Sequence, residues 1–520
     1  MSVDTQPTRR DFIKTAGFSA ATLAGGAWTK HSVHAQPLTA TAPDHKPSSR
    51  PNLLFVFSDQ QSFDMLGCYG NRQIHTPRTD AFARQGIRFD HCFSNAPVCT
   101  PYRGMLMSGK HPLHNGAFEN DMALCPSAGP HFGQRLAQQG YRTGYVGKWH
   151  LLGGDRQRPV PAGPLRAGFD GPFFTDNCTT EFRAGHCFYY DQDGQKQIYD
   201  QWQPYGQTDQ AVEFLETSAG QDQPFALFVS WHPPHDHGVK APPPHPHYNY
   251  SHYPPELAEP YRDRPLDLRP GVEDTPPRRQ QLRDYYAMCT GIDTAFGRLL
   301  DTLDRLDLAD DTVVVFTSDH GDMLGSHGCP KPKRPLHDTS SRVPLILRAP
   351  DRLGLGRPGD VRQLLVSTLD LMPTLLSLLG CPVTDDLHGR DLTDPIRRRD
   401  DDAVASLPML MISWPVYRGV VTRQWSFSMG PPDQQNRFNT LLFDRVADPQ
   451  QQRNLVDDPG GRPIADHLRQ LTRQWMDRFE DPFVTIPELV QRQPLEHYRQ
   501  PPGDPSTWSP AIDHYHRRAS

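Results

Sequence analysis

A chain of 520 residues is long enough for one large α/β domain with a smaller appendage, or for two to four ordinary domains. Its formal charge of −6, with 22% charged and 36% hydrophobic residues, leaves no basic footprint for a nucleic-acid partner. The 53 prolines are about twice the usual share and cluster at 242–254 and 265–277, where apolar runs on both sides argue for ordered loops rather than disorder.

In chain order, the first element is a targeting segment. "TRRDFIKTAGFSAATLAGGAW" sets Arg9 and Arg10 beside Phe12 and Lys14, and "VHAQ" offers small residues at Val33 and Ala35 for a signal peptidase. Residues 1–35 therefore read as a twin-arginine export signal and 36–49 as a linker. The segment is too short and too rich in Gly, Ser and Thr to span a membrane, so no stable membrane anchor is expected and the location is periplasmic or secreted.

Next come short apolar runs that end in reactive side chains. "NLLFVFSDQ" ends in Asp59-Gln60, "GYRTGYVGKWH" in Lys148-Trp149-His150, "FALFVSWHPPHD" at His232, and "TVVVFTSDHGD" in Asp319-His320. Continuous rather than alternating apolar runs predict strands buried on both faces of a mostly parallel sheet. Helical patterns from Thr208 and Tyr285 alternate with them, so the fold class is α/β, a large sheet flanked by helices on both faces. In such sheets ligands bind beyond the carboxyl ends of the strands, where these polar residues fall. Asp59, Gln60, Asp319 and His320 make an oxygen-rich site for a divalent cation.

Between the first two of these runs lies "NAPVCTPYRGMLMSGKHP", with Cys99 ahead of Pro101 and Arg103. No second Cys or His stands at close metal-ligand spacing, which places this cysteine for other chemistry. The nine cysteines are scattered; with Cys99 set aside, Cys178 and Cys187 are the closest candidate pair, but a core of this size needs no staples and free thiols are expected. Past residue 405, "LPMLMISWPVYRGVVTRQWSFSMG" predicts a small antiparallel sheet, and "IADHLRQLTRQWMDRFED" an amphipathic helix packed on it. The boundaries are thus 50–405 for a catalytic domain, 406–485 for a C-terminal subdomain and 486–520 for a Pro-rich arm or tail.

These motifs together resemble the type I sulfatases of the alkaline phosphatase superfamily. "CTPYR" fits their Cys-x-Pro-x-Arg signature, "GYRTGYVGKWH" their Gly-Lys-x-His block, and "VVVFTSDHGD" their second metal-binding strand. "KRPLHDTSSRVPLI" puts Lys333 on the family's second sulfate-binding lysine, and "LLFDRVADPQQQRNLV" is similar to its C-terminal hairpin. Tyr102 replaces a smaller residue inside the signature and Ser108 replaces Thr, while Gln60 stands for the usual second Asp and His320 for Asn.

The resemblance implies that a formylglycine-generating enzyme oxidises Cys99 to formylglycine, whose hydrated diol attacks sulfur. It implies one divalent cation, Ca²⁺ by family precedent with Mn²⁺ or Zn²⁺ as alternatives, held by Asp59, Gln60, Asp319, His320 and the modified Cys99. Arg103, Lys148 and Lys333 would hold the diol and sulfate oxygens as charge builds. His150 would hydrogen-bond the diol, and His232 would protonate the leaving alcohol, with His235 and His237 as substitutes.

The substrate would be a sulfate ester on a small molecule or glycan, read by loops within 151–208 and 236–280. The twin-arginine machinery and the maturation enzyme would be transient partners. Gln60 and His320 keep open a phosphonate or phosphate ester hydrolase with the same nucleophile. The alternative from another class is a non-catalytic binding protein with an unmodified Cys99.

Overall fold

The computed structural model describes residues 50–154, 156–241 and 247–484, so the export signal, the linker and the Pro-rich arm lie outside the described residues. The long apolar runs do form strands of one sheet. Thr312–Ser318, Asn52–Ser58, Phe225–Trp231, Arg142–Lys148 and Phe173–Asp176 lie side by side, all parallel. On the Thr312–Ser318 side, antiparallel Leu345–Arg348 leads to Ile87–Phe93, which also pairs in parallel with Val361–Ser367, and short strands complete a mixed eleven-stranded sheet.

Burial on both faces explains why these runs do not alternate with polar residues. In Asn52–Ser58, Leu53, Phe55 and Phe57 enter one core, shared with Tyr102, Leu106 and Leu375. Leu54 and Val56 enter the other, with Phe214, Tyr285 and Phe296. Helices Cys99–Ser108 and Thr368–Leu378 therefore cover one face, and Gln203–Ser218 and Pro276–Arg305 the other. The last two begin earlier than their apolar periodicity alone suggests, each with a Pro in its first turn, where a missing N–H costs no intrahelical bond. Large aromatic side chains dominate the first core: Phe228 stacks on Phe55 at 5.1 Å. Burying one such side chain stabilises by roughly 1.5–3 kcal/mol.

Strands Leu407–Met411, Tyr417–Val421, Trp425–Met429 and Leu441–Asp444 form a four-stranded antiparallel sheet, as the sequence predicts. Helix Arg462–Arg478 packs Ala465 and Leu468 against its Val420, Phe427 and Leu442. The opposite face gives Met409, Tyr417 and Phe443 to the first core of the large sheet. Both sheets accordingly belong to one compact unit. All nine cysteines are free, including Cys178 and Cys187. Among the described residues no helix is long and apolar enough to cross a membrane.

Candidate active site

Register brings the polar strand ends together. Ser58 pairs with both Ser318 and Trp231, and Gly147 with Ser230, so Asp59, Asp319, His232 and Lys148 emerge on one edge of the sheet. The Cys99 helix starts over that edge, its first residue following an extended Val98. One ligand atom from each of Asp59, Cys99, Asp319 and His320 falls within a sphere where all lie less than 4.8 Å apart.

Two lysines flank Cys99. Lys333 Nζ donates to Cys99 Sγ at 3.2 Å, and Lys148 Nζ donates to Asp59 Oδ2 at 2.6 Å. Burial alone would push the Cys99 thiol up, yet Lys148, Lys333 and His320 hold it well below the ordinary thiol range. The site is therefore built to stabilise an anion at this side chain. Asp59 is buried and faces Cys99, which would raise its carboxyl, but Lys148, His235 and Lys333 hold it well below the usual range. Asp319, desolvated and beside Asp59, is pushed up to about 6.

The donor set suits a divalent cation. His320 Nδ1 lies 2.9 Å from the Gly321 carbonyl and donates to it, which leaves the Nε2 lone pair facing Cys99 at 3.4 Å. Gln60 Oε1 is buried with no hydrogen-bond partner, as an oxygen reserved for a ligand would be.

Arg103 is held by protein groups on both of its terminal nitrogens. Its Nη1 donates to the Lys148 carbonyl and Ser230 Oγ, both at 2.7 Å, and its Nη2 to Asp59 and Asp319 at 3.1 and 3.2 Å. The guanidinium braces the two carboxylates from beneath, over the Phe57 ring. A lysine has no fork to bridge them.

The histidines separate by partner. His232 Nε2 accepts from Lys148 Nζ at 2.8 Å, and burial together with that lysine depresses its imidazole to about 3. His235 Nε2 lies 2.9 Å from Lys333 Nζ, which brings it into the cluster. His237 instead stacks on His252, away from Cys99. His150 Nε2 donates to Asp121 Oδ1 at 3.0 Å; burial would lower its imidazole, but Cys178 and Asp121 raise it to about 10.

A family model described as sulfatase matches residues 51–381, and one described as N-sulphoglucosamine sulphohydrolase, C-terminal, matches 325–477. The chain belongs to the sulfatase family. An ulvan-active sulfatase from Formosa agariphila is 31% identical over 443 residues, 82% of this chain and 81% of that protein. An endo-4-O-sulfatase from Bacteroides thetaiotaomicron is 26% identical over 505 residues, 86% of this chain and 96% of that protein. The crystal structure of the putative sulfatase yidJ from Bacteroides fragilis superposes with a TM-score of 0.75 at 28% identity, covering 85% of this chain and 98% of that one.

As a sulfatase, the protein is a sulfuric ester hydrolase, and several of its supporting residues escape sequence patterns. The Lys333 loop is pinned by Arg334, whose guanidinium takes both oxygens of buried Glu119 at 2.7 and 2.8 Å. Tyr417 of the small sheet donates to the Arg334 carbonyl at 3.1 Å, so the C-terminal sheet helps set Lys333 in this sulfatase. Asp121 receives Arg156 as well as His150. Cys178 is a second buried thiol beside His150 and His232; burial raises it, but His150 and Lys148 hold it well below the thiol range. Asp322, which accepts from the Gln60 amide at 2.7 Å, stands three residues after Asp319 in the quoted "SDHGD".

Proposed function

We propose that this sulfatase is exported and hydrolyses a sulfate ester on a carbohydrate, with a formylglycine made from Cys99 and one divalent cation, expected to be Ca²⁺. The observation that carries the reading is the buried cluster of Asp59, Cys99, Asp319 and His320 with a lysine on each side. Lys148 and Lys333 both lie at the Cys99 side chain, so the sulfate oxygens of an anionic ester would meet two ammonium groups there. The carbohydrate assignment draws on relatives named for ulvan and for endo-acting 4-O-desulfation.

Hydrated formylglycine supplies a geminal diol as nucleophile, and a bound cation lowers its pKa and polarises a sulfate oxygen. Asp59, Asp319, Gln60 and His320 would hold that cation. Lys333, 3.2 Å from the Cys99 side chain, and Lys148 on the opposite side neutralise charge that grows on the sulfate oxygens. Arg103 keeps Asp59 and Asp319 in place. His150, oriented by Asp121, would hydrogen-bond the diol, and His232 would deliver a proton to the leaving oxygen.

Desulfation of a panel of sulfated mono- and oligosaccharides, followed by chromatography and set against matched phosphonate esters, tests the reading. Faster turnover of the phosphonates would favour the phosphonate hydrolase that Gln60 and His320 keep in view. Binding of the sugars without turnover would favour the non-catalytic protein.

Chelation should abolish activity. Asp319→Ala should do so more completely than Gln60→Ala, because a neutral amide brings less charge to a hard ion than a carboxylate does. Restoration by Mn²⁺ or Zn²⁺ but not by Ca²⁺ would overturn the calcium assignment. Export should depend on Arg9 and Arg10: replacing both by Lys keeps the charge but should strand the folded protein in the cytoplasm. Unchanged periplasmic recovery would show that another route carries it.

A further inference from the structure

The Gln60 side chain sits between two carboxylates that no part of the reaction uses. Its Nε2 donates to Asp322 Oδ2 at 2.7 Å and to Asp236 Oδ2 at 3.1 Å. An amide nitrogen has two N–H groups, so both are consumed. A flipped amide would set Oε1 against the two carboxylates, losing both charge-assisted bonds and adding repulsion. The oxygen is thus forced to the other side, where it is buried without a partner.

The rest of the residue is equally constrained. Its backbone N–H donates to Asp319 Oδ1 at 3.0 Å, and Tyr285 donates to its carbonyl at 2.5 Å. These bonds hold it at φ 70°, a left-handed conformation uncommon outside glycine. The carboxylates are fixed in turn: Tyr250 donates to Asp322 Oδ2 at 2.5 Å, Leu324 N–H to Asp322 Oδ1 at 2.7 Å, and Gly238 N–H to Asp236 Oδ1 at 3.0 Å.

We propose that Asp236 and Asp322 are positioning residues that clamp the Gln60 amide so that Oε1 is presented to the cation as a neutral ligand. A carboxylate at position 60 would meet Asp236 and Asp322 as a third like charge in a buried space. With the clamp, two carboxylates touch the ion and two more stand one layer behind the amide, so negative charge is moved outward rather than lost. This rests on reading the cluster as a cation site.

The test is cation affinity of the purified full-length protein, by calorimetry for Ca²⁺ and by electron paramagnetic resonance for Mn²⁺. Asp322→Asn should weaken binding by roughly 10–100-fold, the scale for outer-layer partners of a metal ligand. Asp236→Asn, which removes the longer bond, should weaken it less. Gln60→Glu should lose more than either, and adding Asp322→Asn to it should recover at least tenfold, because an asparagine amide can donate to the new carboxylate. A merely structural role for Asp322 would give no such recovery.

Should Asp322→Asn fail to fold, as judged by circular dichroism, Tyr250→Phe frees the same carboxylate without touching the cluster and should weaken binding several-fold. Wild-type affinity in Asp322→Asn or in Tyr250→Phe, or no recovery in the double variant, overturns the clamp. A wild-type protein that takes up neither ion overturns the cation reading itself, a result distinct from loss confined to the variants.

Discussion

Cys99→Ala should reduce turnover by about 10⁶-fold, the scale seen when a covalent nucleophile is removed, and leave the fold unchanged. Cys99 is the first residue of its helix, and alanine is accepted there without loss of a cap, because the Cys99 side chain caps nothing. What disappears is the atom between Lys333 and His320, 3.2 and 3.4 Å away. Mass spectrometry of the wild-type peptide, from a host that carries the maturation enzyme, should show oxygen in place of sulfur at residue 99. A fully active wild-type enzyme whose peptide holds only thiol would sink the proposed nucleophile.

His232→Ala should separate substrates by their leaving groups. A sugar alkoxide is strongly basic and needs a proton as the S–O bond breaks, whereas a nitrophenolate departs without one. His232 is neutral as it stands, since burial and Lys148 depress its imidazole to about 3. The proton it can give is the one on Nδ1, and the Lys148 ammonium, 2.8 Å from Nε2, stabilises the ring that has lost it. General acid catalysis contributes roughly 10²–10⁴-fold, so sugar sulfate turnover should fall at least about a hundredfold further than nitrophenyl sulfate turnover. Equal losses would assign His232 to orienting Lys148. His235 would then be the donor to test: burial and Lys333 press its imidazole down, but Asp236 and Asp59 raise it overall.

The large sheet was legible because burial on both faces demands unbroken apolar runs, and the site because those runs end on one edge in side chains with chemistry. Orientation was not legible. The spacing from Cys99 to Arg103 gives one helical turn, but only the packed helix shows the guanidinium turned beneath Asp59 and Asp319 rather than toward sulfate. Gln60 read as a weaker substitute for a carboxylate, because Asp236 and Asp322 lie 176 and 262 residues away and meet it only through the fold. Asp121 and Glu119 sit in a loop without periodicity, so nothing local marks them as partners of His150 and Arg334.

Every residue of the Cys99 helix is buried, and Cys99 itself is 1% exposed. A maturation enzyme acting on Cys99 would find no exposed part of this helix to grip once the fold has closed over it. Under the proposed oxidation of Cys99, modification and folding would compete for the same chain, and a molecule that folds first would keep its thiol for as long as it stays folded. The active fraction of a preparation would then be set by a ratio of two rates rather than by an equilibrium, and a twin-arginine exporter that accepts folded chains would pass both populations across alike.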